Sequence, residues 1–319
     1  MSKAVPVVTV TLNPAIDQTL SIPDFAAGQV NRVAESRSHA GGKGVNVACF
    51  LADLGVEVIA TGFLGSENAG LFEAAFAQKN ILDRFVRLPG CTRVGIKIVD
   101  GWTHETTDIN FPGLTPEKKD IDQLFDGIAD LAAPGRWFVL SGSVPAGAPH
   151  GIYAGMIQLI HEKGGRVVLD TSGRPLRAAL ANTPEVVKPN VDELSELMMR
   201  TLNTSENKPD AVRAAAESLL VRGVQRVVVS MGGDGAVFAD SGQALLARPP
   251  RVMVRSTVGA GDAMVAGIVY ATIHDSSLTD LARRATASGA YAVTRVGPGI
   301  EDRAALENLM GQVEIETLS

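Results

Sequence analysis

The chain has 319 residues, of which 45% are apolar and 20% are charged, and its formal net charge is −6. This length and apolar content suffice for the core of one large α/β domain, which excludes a disordered chain. The acidic balance lacks the basic surface of a nucleic-acid-binding protein, and no run of like charges indicates a membrane-facing patch. The 2 cysteines and 5 histidines are scattered without metal-ligand spacing. These features favour a small-molecule partner over nucleic acid, a membrane or a protein-bound zinc ion.

No segment has the length of a signal peptide or a membrane span. The apolar run before Leu12 ends at Asn13-Pro14, and the longest apolar stretch, Val258–Ile273, is interrupted by Asp262. Both are too short for export or membrane insertion. The sequence therefore predicts a cytoplasmic protein.

Short apolar runs rich in β-branched residues predict strands that are buried on both faces of a parallel sheet. They are Val7–Leu12, Val56–Gly62, Trp137–Ser141, Arg166–Asp170, Glu185–Lys188 and Arg226–Ser230. Helical patterns fall between and after them, at Val45–Leu54, Ala69–Lys79, Pro116–Leu131, Ile152–Lys163, Asp192–Arg200, Pro209–Val221, Asp262–Ile273 and Leu278–Thr294. Strands that alternate with helices of this length predict right-handed crossovers and a doubly wound α/β sandwich.

Two regions interrupt the alternation with extended segments that no helix separates. Gln18–Ile22 is followed by Gln29–His39, and Thr92–Val99 is followed by His104–Phe111. Their period of two predicts a small antiparallel sheet that projects from the core as a lid. No repeat of 20–50 residues is present, which excludes a solenoid.

A glycine-rich turn, Thr257–Asp262, leads into one of the predicted helices. Glycines such as Gly259 and Gly261 let the backbone approach a ligand, and the first amides of a helix are donors at the positive end of its dipole. Such a turn suits the charge on a phosphoryl group in transfer, and Asp262 at the helix start can accept a proton from an attacking hydroxyl. Taken alone, the stretch is equally well explained as a turn with a helix-starting aspartate.

A second glycine run, Ala40–Asn46, opens another helix. It is not a P-loop, because Gly44 follows Lys43 where that motif requires serine or threonine. Its backbone amides, with the Lys43 and Asn46 side chains, suit sugar hydroxyls or a phosphate; a flexible connection is the alternative.

Asp17 follows the first strand at the carboxyl edge, where ligands of open α/β sheets collect. Its carboxylate can bind two sugar hydroxyls, although an aspartate after a strand is often a turn former. On the extended segment Thr92–Val99, alternation places Arg93, Gly95 and Lys97 on one face, where two cations can bind a phosphate. The same counting places Asp108 and Asn110 on one face of the partner strand, and a solvated lid face is the alternative.

Two further turns suit a nucleotide. Asn190 and Glu193 stand three residues apart at a predicted helix start, where they can hold magnesium through water. The run Ser230–Gly235 follows a strand, and its bare backbone can lie beside ATP phosphates. Helix capping or a plain turn would explain each of these motifs alone.

Taken together, these motifs resemble the ribokinase-like sugar kinases of the phosphofructokinase-B family. The resemblance covers nearly the whole chain, in order, through Asn13–Asp17, Gly41–Asn46, Ser141–Pro145, Lys188–Asn190 with Glu193, Ser230–Gly232 and Ser256–Asp262. It implies a three-layer α/β/α sandwich as a single domain over residues 1–319, with a small β-sheet lid formed near 18–39 and 92–111. Lids of this family often pair with the lid of another subunit, which implies a homodimer.

The resemblance also implies ATP and Mg²⁺ as cofactors, and it extends to a monovalent cation such as K⁺. It implies Asp262 as general base, with Gly259, Ala260 and Gly261 as the anion hole. Sugar-phosphate contacts are then expected from Asp17, Gly41, Gly42, Lys43, Asn46, Arg93, Lys97, Asn110 and Ser141. Nucleotide contacts are expected from Lys188, Asn190, Ser230, Gly232, Gly233, Gly235, Thr257, Gly259 and Gly261, and water-mediated magnesium contacts from Asn190 and Glu193.

Within the family, Lys43 in its Gly-Gly-Lys-Gly run and the run Gly28–Arg32 resemble the branch that acts on sugar phosphates. The expected acceptor is fructose 1-phosphate, phosphorylated at O6, with Arg93 and Lys43 on the distal phosphate and Lys97 as a third candidate. The choice of acceptor depends on the lid segment Thr92–Lys97, in which Gly95 stands where many relatives have asparagine. Tagatose 6-phosphate and fructose 6-phosphate stay open as acceptors, because family members that act on tagatose 6-phosphate share most of the other motifs. A non-catalytic sugar-phosphate sensor is the alternative from another class.

Overall fold

The computed structural model describes residues 5–100, 102, 106–202 and 208–318. Within them the strands are β1 (Val7–Thr11), β2 (Ala15–Ser21), β3 (Glu35–Gly41), β4 (Val58–Gly65), β5 (Leu82–Asp83), β6 (Val86–Leu88), β7 (Val94–Val99), β8 (Thr106–Asn110), β9 (Trp137–Ser141), β10 (Arg166–Asp170), β11 (Val186–Val187), β12 (Arg226–Ser230), β13 (Ala236–Asp240), β14 (Ala244–Arg248) and β15 (Glu314–Leu318). The helices are α1 (Lys43–Asp53), α2 (Gly70–Lys79), α3 (Lys118–Leu131), α4 (Ile152–Glu162), α5 (Gly173–Ala179), α6 (Val191–Met198), α7 (Lys208–Leu220), α8 (Ala260–Ile273), α9 (Leu278–Val293) and α10 (Arg303–Gln312).

A large sheet in the order β15-β14-β13-β12-β11-β10-β9-β1-β4-β5, with β6 paired to β4, forms the middle layer. Its neighbouring strands β12, β11, β10, β9, β1 and β4 run parallel. Successive residues of one strand enter different hydrophobic clusters, because side chains alternate between the faces of a sheet: Val139 packs with α1, α2, α8, α9 and α10, whereas Phe138 and Leu140 pack with α3 to α7. The predicted three-layer α/β sandwich is therefore confirmed, and β9, β10 and β12 have the predicted bounds.

The large sheet also has an antiparallel edge that the sequence analysis did not predict. β12 pairs antiparallel with β13, β13 with β14, and β14 with β15. Asp240 accepts hydrogen bonds from the amides of Gly242 and Gln243 in the hairpin that joins β13 to β14. Helices α5 and α10 were also not predicted.

A second sheet has the order β3-β2-β7-β8. The outer pairs are antiparallel, but β2 and β7 are parallel, so the prediction of an antiparallel sheet is wrong for the central pair. The reason is topological. β2 follows β1 and β7 follows β6, and both β1 and β6 run parallel to β4, so β2 and β7 start from the same edge of the large sheet. The strand predicted from His104 begins at Thr106, since residues 103–105 lie outside the described residues, and β3 covers only the end of the predicted Gln29–His39 segment.

Helix α8 begins beside the sheet edge and packs tightly on α9. At Gly267, a Cβ would lie 2.8 Å from Ala285 Cα and 2.9 Å from Ser288 Oγ, so only glycine permits this approach. In the described part of the chain, no helix is both long enough and apolar enough to span a bilayer.

The close approach at Gly267 predicts that Gly267→Ala lowers the free energy of unfolding by about 1–3 kcal/mol, because the added methyl group overpacks the contact of α8 with α9. A matched control is Gly127, inside α3, where a Cβ would have nothing within 4 Å. Gly127→Ala should raise the stability by roughly 0.5–1 kcal/mol. Urea denaturation of the three proteins measures both, and equal shifts in the same direction would contradict the packing argument.

Candidate active site

Three buried polar residues end neighbouring strands at one edge of the large sheet. Thr11 on β1, Ser141 on β9 and Asp170 on β10 lie in register, and each is at most 2% exposed. The Thr11 and Ser141 hydroxyls have no hydrogen-bond partner among the described residues. These three residues form a buried polar floor at the carboxyl ends of the strands.

Helix α1 begins directly on this floor. Gly42 has a φ of 109°, and a Cβ on Gly44 would lie 2.4 Å from Thr11 Oγ1, so glycine is needed at both positions. The run predicted to bind sugar hydroxyls or phosphate thus brings Lys43 and Asn46 to the carboxyl ends of the strands.

Asp262 lies in the first turn of α8, which begins after Gly259 with a φ of 80°. Its carboxylate is buried, and Oδ2 accepts a hydrogen bond of 2.7 Å from Asn46 Nδ2. Burial and repulsion by Asp170 raise the pKa of Asp262 to about 6, against the hydrogen bond from Asn46 and the charges of two nearby lysines. The group is therefore a carboxylate above about pH 6 and a base of useful strength near neutrality.

Asp170 is a functional candidate that the sequence analysis missed. Lys188 Nζ lies 3.2 Å from one of its oxygens and Lys43 Nζ lies 3.3 Å from the other. Burial acts to raise the pKa of Asp170, but the two ammonium groups outweigh it and hold that pKa below its usual range. Burial likewise acts to lower the pKa of Lys43, but Asp170, Asp262 and Glu193 raise it. The network therefore keeps a positive charge beside Asp262.

Two cavities open beside this network and share Ser230, Gly232 and Gly261. One has a volume of about 550 Å³ and includes Lys43, Asn190 and Asp262 in its lining. The other has a volume of about 600 Å³ and a mainly apolar wall that includes Met264, Val252, Val254, Ala290 and Val293. Every residue predicted to contact the nucleotide lines one or both: Lys188, Asn190, Ser230, Gly232, Gly233, Gly235, Thr257, Gly259 and Gly261.

Asn190 and Glu193 form a reciprocal cap at the start of α6. The Glu193 amide donates to Asn190 Oδ1, and the Asn190 amide donates to Glu193 Oε2, both at 2.8 Å. The two residues therefore cap the helix, as the alternative explanation of this motif required. They also line the same cavity as Lys43. Their oxygens retain free lone pairs, and oxygen is the ligand that Mg²⁺ prefers.

The small sheet places its predicted cations on one face together with Asp17. Arg93 Nη1 donates to Asn110 Oδ1 at 3.4 Å and Nη2 to the Asn13 carbonyl at 3.5 Å, and Lys97 Nζ lies 3.2 Å from Asp108. Burial raises the pKa of Asp17, against the opposing charges of nearby cations.

Gly41 is also needed here, because a Cβ on it would lie 2.2 Å from Asp17 Oδ2. The small sheet and the turn before α8 meet at a narrow seam, lined by His39 and Lys97 from the sheet, Asn46 from α1 and Gly259 from the turn. The seam thus brings Asn46 and Lys97, which were predicted to contact the sugar, beside Gly259 of the predicted anion hole.

Comparisons with known proteins find similar sequences and structures over nearly the whole chain. A family profile described as the pfkB family of carbohydrate kinases matches residues 2–304. The chain is 47% identical over 313 residues to a 1-phosphofructokinase of Rhodobacter capsulatus, covering 98% of both chains, and 45% identical over 296 residues to one of Xanthomonas campestris, covering 92% of this chain and 91% of the relative. It is also similar to phosphofructokinase-2 from Escherichia coli in complex with potassium, with a TM-score of 0.89, 30% identity and coverage of 97% of this chain and 99% of the other.

The Asp170 network predicts that Asp170→Asn lowers the free energy of unfolding by about 3 kcal/mol, because the buried ammonium of Lys188 loses its counter-charge. The pair of Lys118 and Asp122 is a matched control: its atoms approach to 2.5 Å, but the side chains are 87% and 57% exposed. Asp122→Asn should leave the urea midpoint unchanged, since exposed ion pairs contribute little. A wild-type midpoint for Asp170→Asn would contradict the proposed role of this carboxylate.

Proposed function

The chain belongs to the pfkB family of carbohydrate kinases, and on that basis we propose that it transfers the γ-phosphoryl group of ATP to O6 of fructose 1-phosphate, giving fructose 1,6-bisphosphate. The observation that supports this most directly is the buried Asp262, which lines one of the nucleotide cavities and accepts a hydrogen bond from Asn46, a residue of the seam beside the small sheet. The names of the two curated relatives support fructose 1-phosphate as acceptor.

Asp262 would accept the proton of the O6 hydroxyl as that oxygen attacks the γ-phosphorus. Asn46 holds Oδ2, which leaves Oδ1 for the acceptor. A base whose pKa lies just below the working pH is ionised and still basic enough to take a proton in the transition state. Phosphoryl transfer otherwise depends on positioning and charge stabilisation.

The start of α8 would stabilise the charge on the phosphoryl group. The hydrogen bond from the Ala263 amide to the Gly259 carbonyl, 2.8 Å, is the first of the helix. The helix ladder therefore does not use the amides of Ala260, Gly261 and Asp262, which point out at the positive end of the dipole. Donors fixed before the reaction cost no reorganisation when charge develops.

The two predicted phosphate-binding cations occupy different places. Lys43 contacts Asp170 and lines the cavity with Asn190 and Glu193, which favours the transferred phosphoryl group over the distal phosphate. Arg93 lies on the face of the small sheet beside Asn110. We therefore propose Arg93, with Lys97, as the ligands of the distal phosphate.

Magnesium and a monovalent cation complete the proposed site. Asn190 and Glu193 would hold Mg²⁺ through water, where the ion would offset charge on the β- and γ-phosphates. The solved relative in complex with potassium supports a K⁺ requirement, which would be measured as the loss of activity when KCl is replaced by NaCl.

The small sheet would act as a lid and as the contact between two subunits. Its outward face has apolar side chains, among which Ile109 is 44% and Phe111 50% exposed. Pairing with a second copy would cover them, and sedimentation analysis would measure the resulting homodimer.

The test of the proposed function is a coupled ADP-release assay with fructose 1-phosphate, fructose 6-phosphate and tagatose 6-phosphate. The largest kcat/KM should be found with fructose 1-phosphate. A preference for either other sugar would reassign the acceptor. ADP release with none of the three, together with calorimetric binding of one, would favour the sensor alternative.

We predict that Asp262→Asn lowers kcat by about 10²–10⁴-fold, since an amide cannot take the proton, while both substrates still bind. In the wild type, kcat/KM should decline as the pH falls through about 6, where Asp262 becomes protonated. Rapid-mix kinetics and a pH profile measure these effects. A near-normal kcat in the variant would contradict the mechanism.

The separate places of the two cations predict separate kinetic effects. Arg93→Ala should raise the KM for the sugar phosphate about tenfold and leave the KM for ATP nearly unchanged, whereas Lys43→Met should lower kcat by about 10²-fold through lost charge stabilisation. Steady-state kinetics with each substrate varied in turn would reveal this division. Equal effects of Arg93→Ala on both KM values would remove Arg93 from the distal phosphate.

A further inference from the structure

Four residues lie in one row across the small sheet. His39 on β3 pairs with Asp17 on β2, Asp17 pairs with Gly95 on β7, and Gly95 pairs with Asn110 on β8. Side chains at the same level of neighbouring strands share a face of the sheet. Roles for Asp17 and Asn110 were predicted from the sequence but none for His39, because the register that places His39 opposite Asp17 is not visible in the sequence.

The Asp17 carboxylate is surrounded by bare backbone. A Cβ on Gly41 would lie 2.2 Å from Oδ2, and a Cβ on Gly95 would lie 3.1 Å from Oδ1. Among the described residues, neither oxygen of Asp17 accepts a hydrogen bond, and the side chain is only 16% exposed. A carboxylate so enclosed needs donors, and of its roughly four lone-pair sites two sugar hydroxyls would leave about two for a protein donor.

His39 is placed to be that donor. Its Nε2 lies 3.8 Å from Asp17 Oδ2, which is too long for a hydrogen bond but requires an approach of only about 1 Å. The ring also lines the seam with Asn46 and Gly259. His39 and Asp17 lie on paired strands of the same sheet, so a change in the side-chain torsions of His39 would be enough to close this distance.

We infer that His39 is a positioning residue for the acceptor sugar: its N–H holds one oxygen of Asp17, and the carboxylate is then oriented to receive the sugar hydroxyls. The inference rests on the proposed function and extends it to a residue that lines neither of the two nucleotide cavities. His39 acts before the chemical step, so its effect belongs to sugar binding and not to phosphoryl transfer.

His161 forms a similar pair with the carboxylate of Glu185, and it serves as a comparison for His39. His161 Nε2 lies 3.3 Å from Glu185 Oε2, with side-chain exposures of 28% and 13% against 25% and 16% for His39 and Asp17. The Glu185 carboxylate, however, also accepts the Val167 amide at 2.7 Å, so the backbone fixes it. Asp17 has no such backbone donor among the described residues, and His39 is therefore the group that can orient it.

The first experiment compares His39→Leu, which removes the donor, with His39→Gln, which retains an N–H. His39→Leu should raise the KM for fructose 1-phosphate about tenfold, which is the effect expected when a hydrogen bond to a charged group is lost. The KM for ATP and kcat should change by no more than about twofold. His39→Gln should restore most of the affinity, and His161→Leu should leave both KM values unchanged.

The second experiment measures whether His39 acts through Asp17. In the background of Asp17→Asn, His39→Leu should reduce kcat/KM for the sugar phosphate much less than in the wild type. Full multiplication of the two effects would show that His39 contacts the sugar itself, and it would overturn the positioning role. Should His39→Leu fail to fold by circular dichroism, His39→Ala enters the same cycle.

The outcomes separate the inference from the proposed function. If the wild type releases ADP with fructose 1-phosphate and His39→Leu has a wild-type KM, only the role of His39 is overturned. An equal loss of affinity in His39→Gln and His39→Leu would also overturn it. If the wild type is inactive with every sugar phosphate, the proposed function fails before His39 is tested.

Discussion

One buried carboxylate holds the site together. Asp170 ends β10 in the interior and compensates two ammonium groups from distant parts of the chain, Lys43 at the start of α1 and Lys188 at the end of β11. Without it, the buried ammonium of Lys188 would lack a counter-charge and would be repelled by the more exposed ammonium of Lys43. With it, positive charge stays at the carboxyl edge of the sheet, which is where the phosphates of the proposed substrates would lie. The same anion raises the pKa of Asp262, so a structural ion pair also adjusts the base.

Two aspartates in one site therefore have different protonation behaviour. The two lysines that contact Asp170 hold its pKa low. Burial and repulsion by Asp170 raise the pKa of Asp262 to about 6, and they outweigh the hydrogen bond from Asn46 and the charges of the same two lysines. Environments that separate the pKa values of paired carboxyl groups also separate their functions. In the proposed kinase, one carboxylate would organise charge and the other would move a proton.

The central strands and the glycine turns were predictable because their signals are local. β9 and β12 are continuous apolar runs, and Gly259–Gly261 directly precedes a helix. The parallel pairing of β2 with β7 was not predictable, because strand direction depends on the path of the chain through the large sheet. Asp170 and His39 were missed for a related reason: each gains its role from a partner in another element, and neither belongs to a motif. The antiparallel edge was missed because β13 and β14 are short and contain several alanines, and neither strand has a clear alternation of apolar and polar residues.

The cap on α6 has a consequence for how a metal would relate to folding. Asn190 and Glu193 satisfy each other's backbone amides at 2.8 Å, so the start of this helix is complete with protein groups alone. Sites whose ligands lack such support gain folding free energy from the ion and unfold when a chelator removes it. Here the thermodynamic linkage between ion and fold would be weak. Magnesium could then bind and dissociate with each nucleotide without changing the stability of the fold.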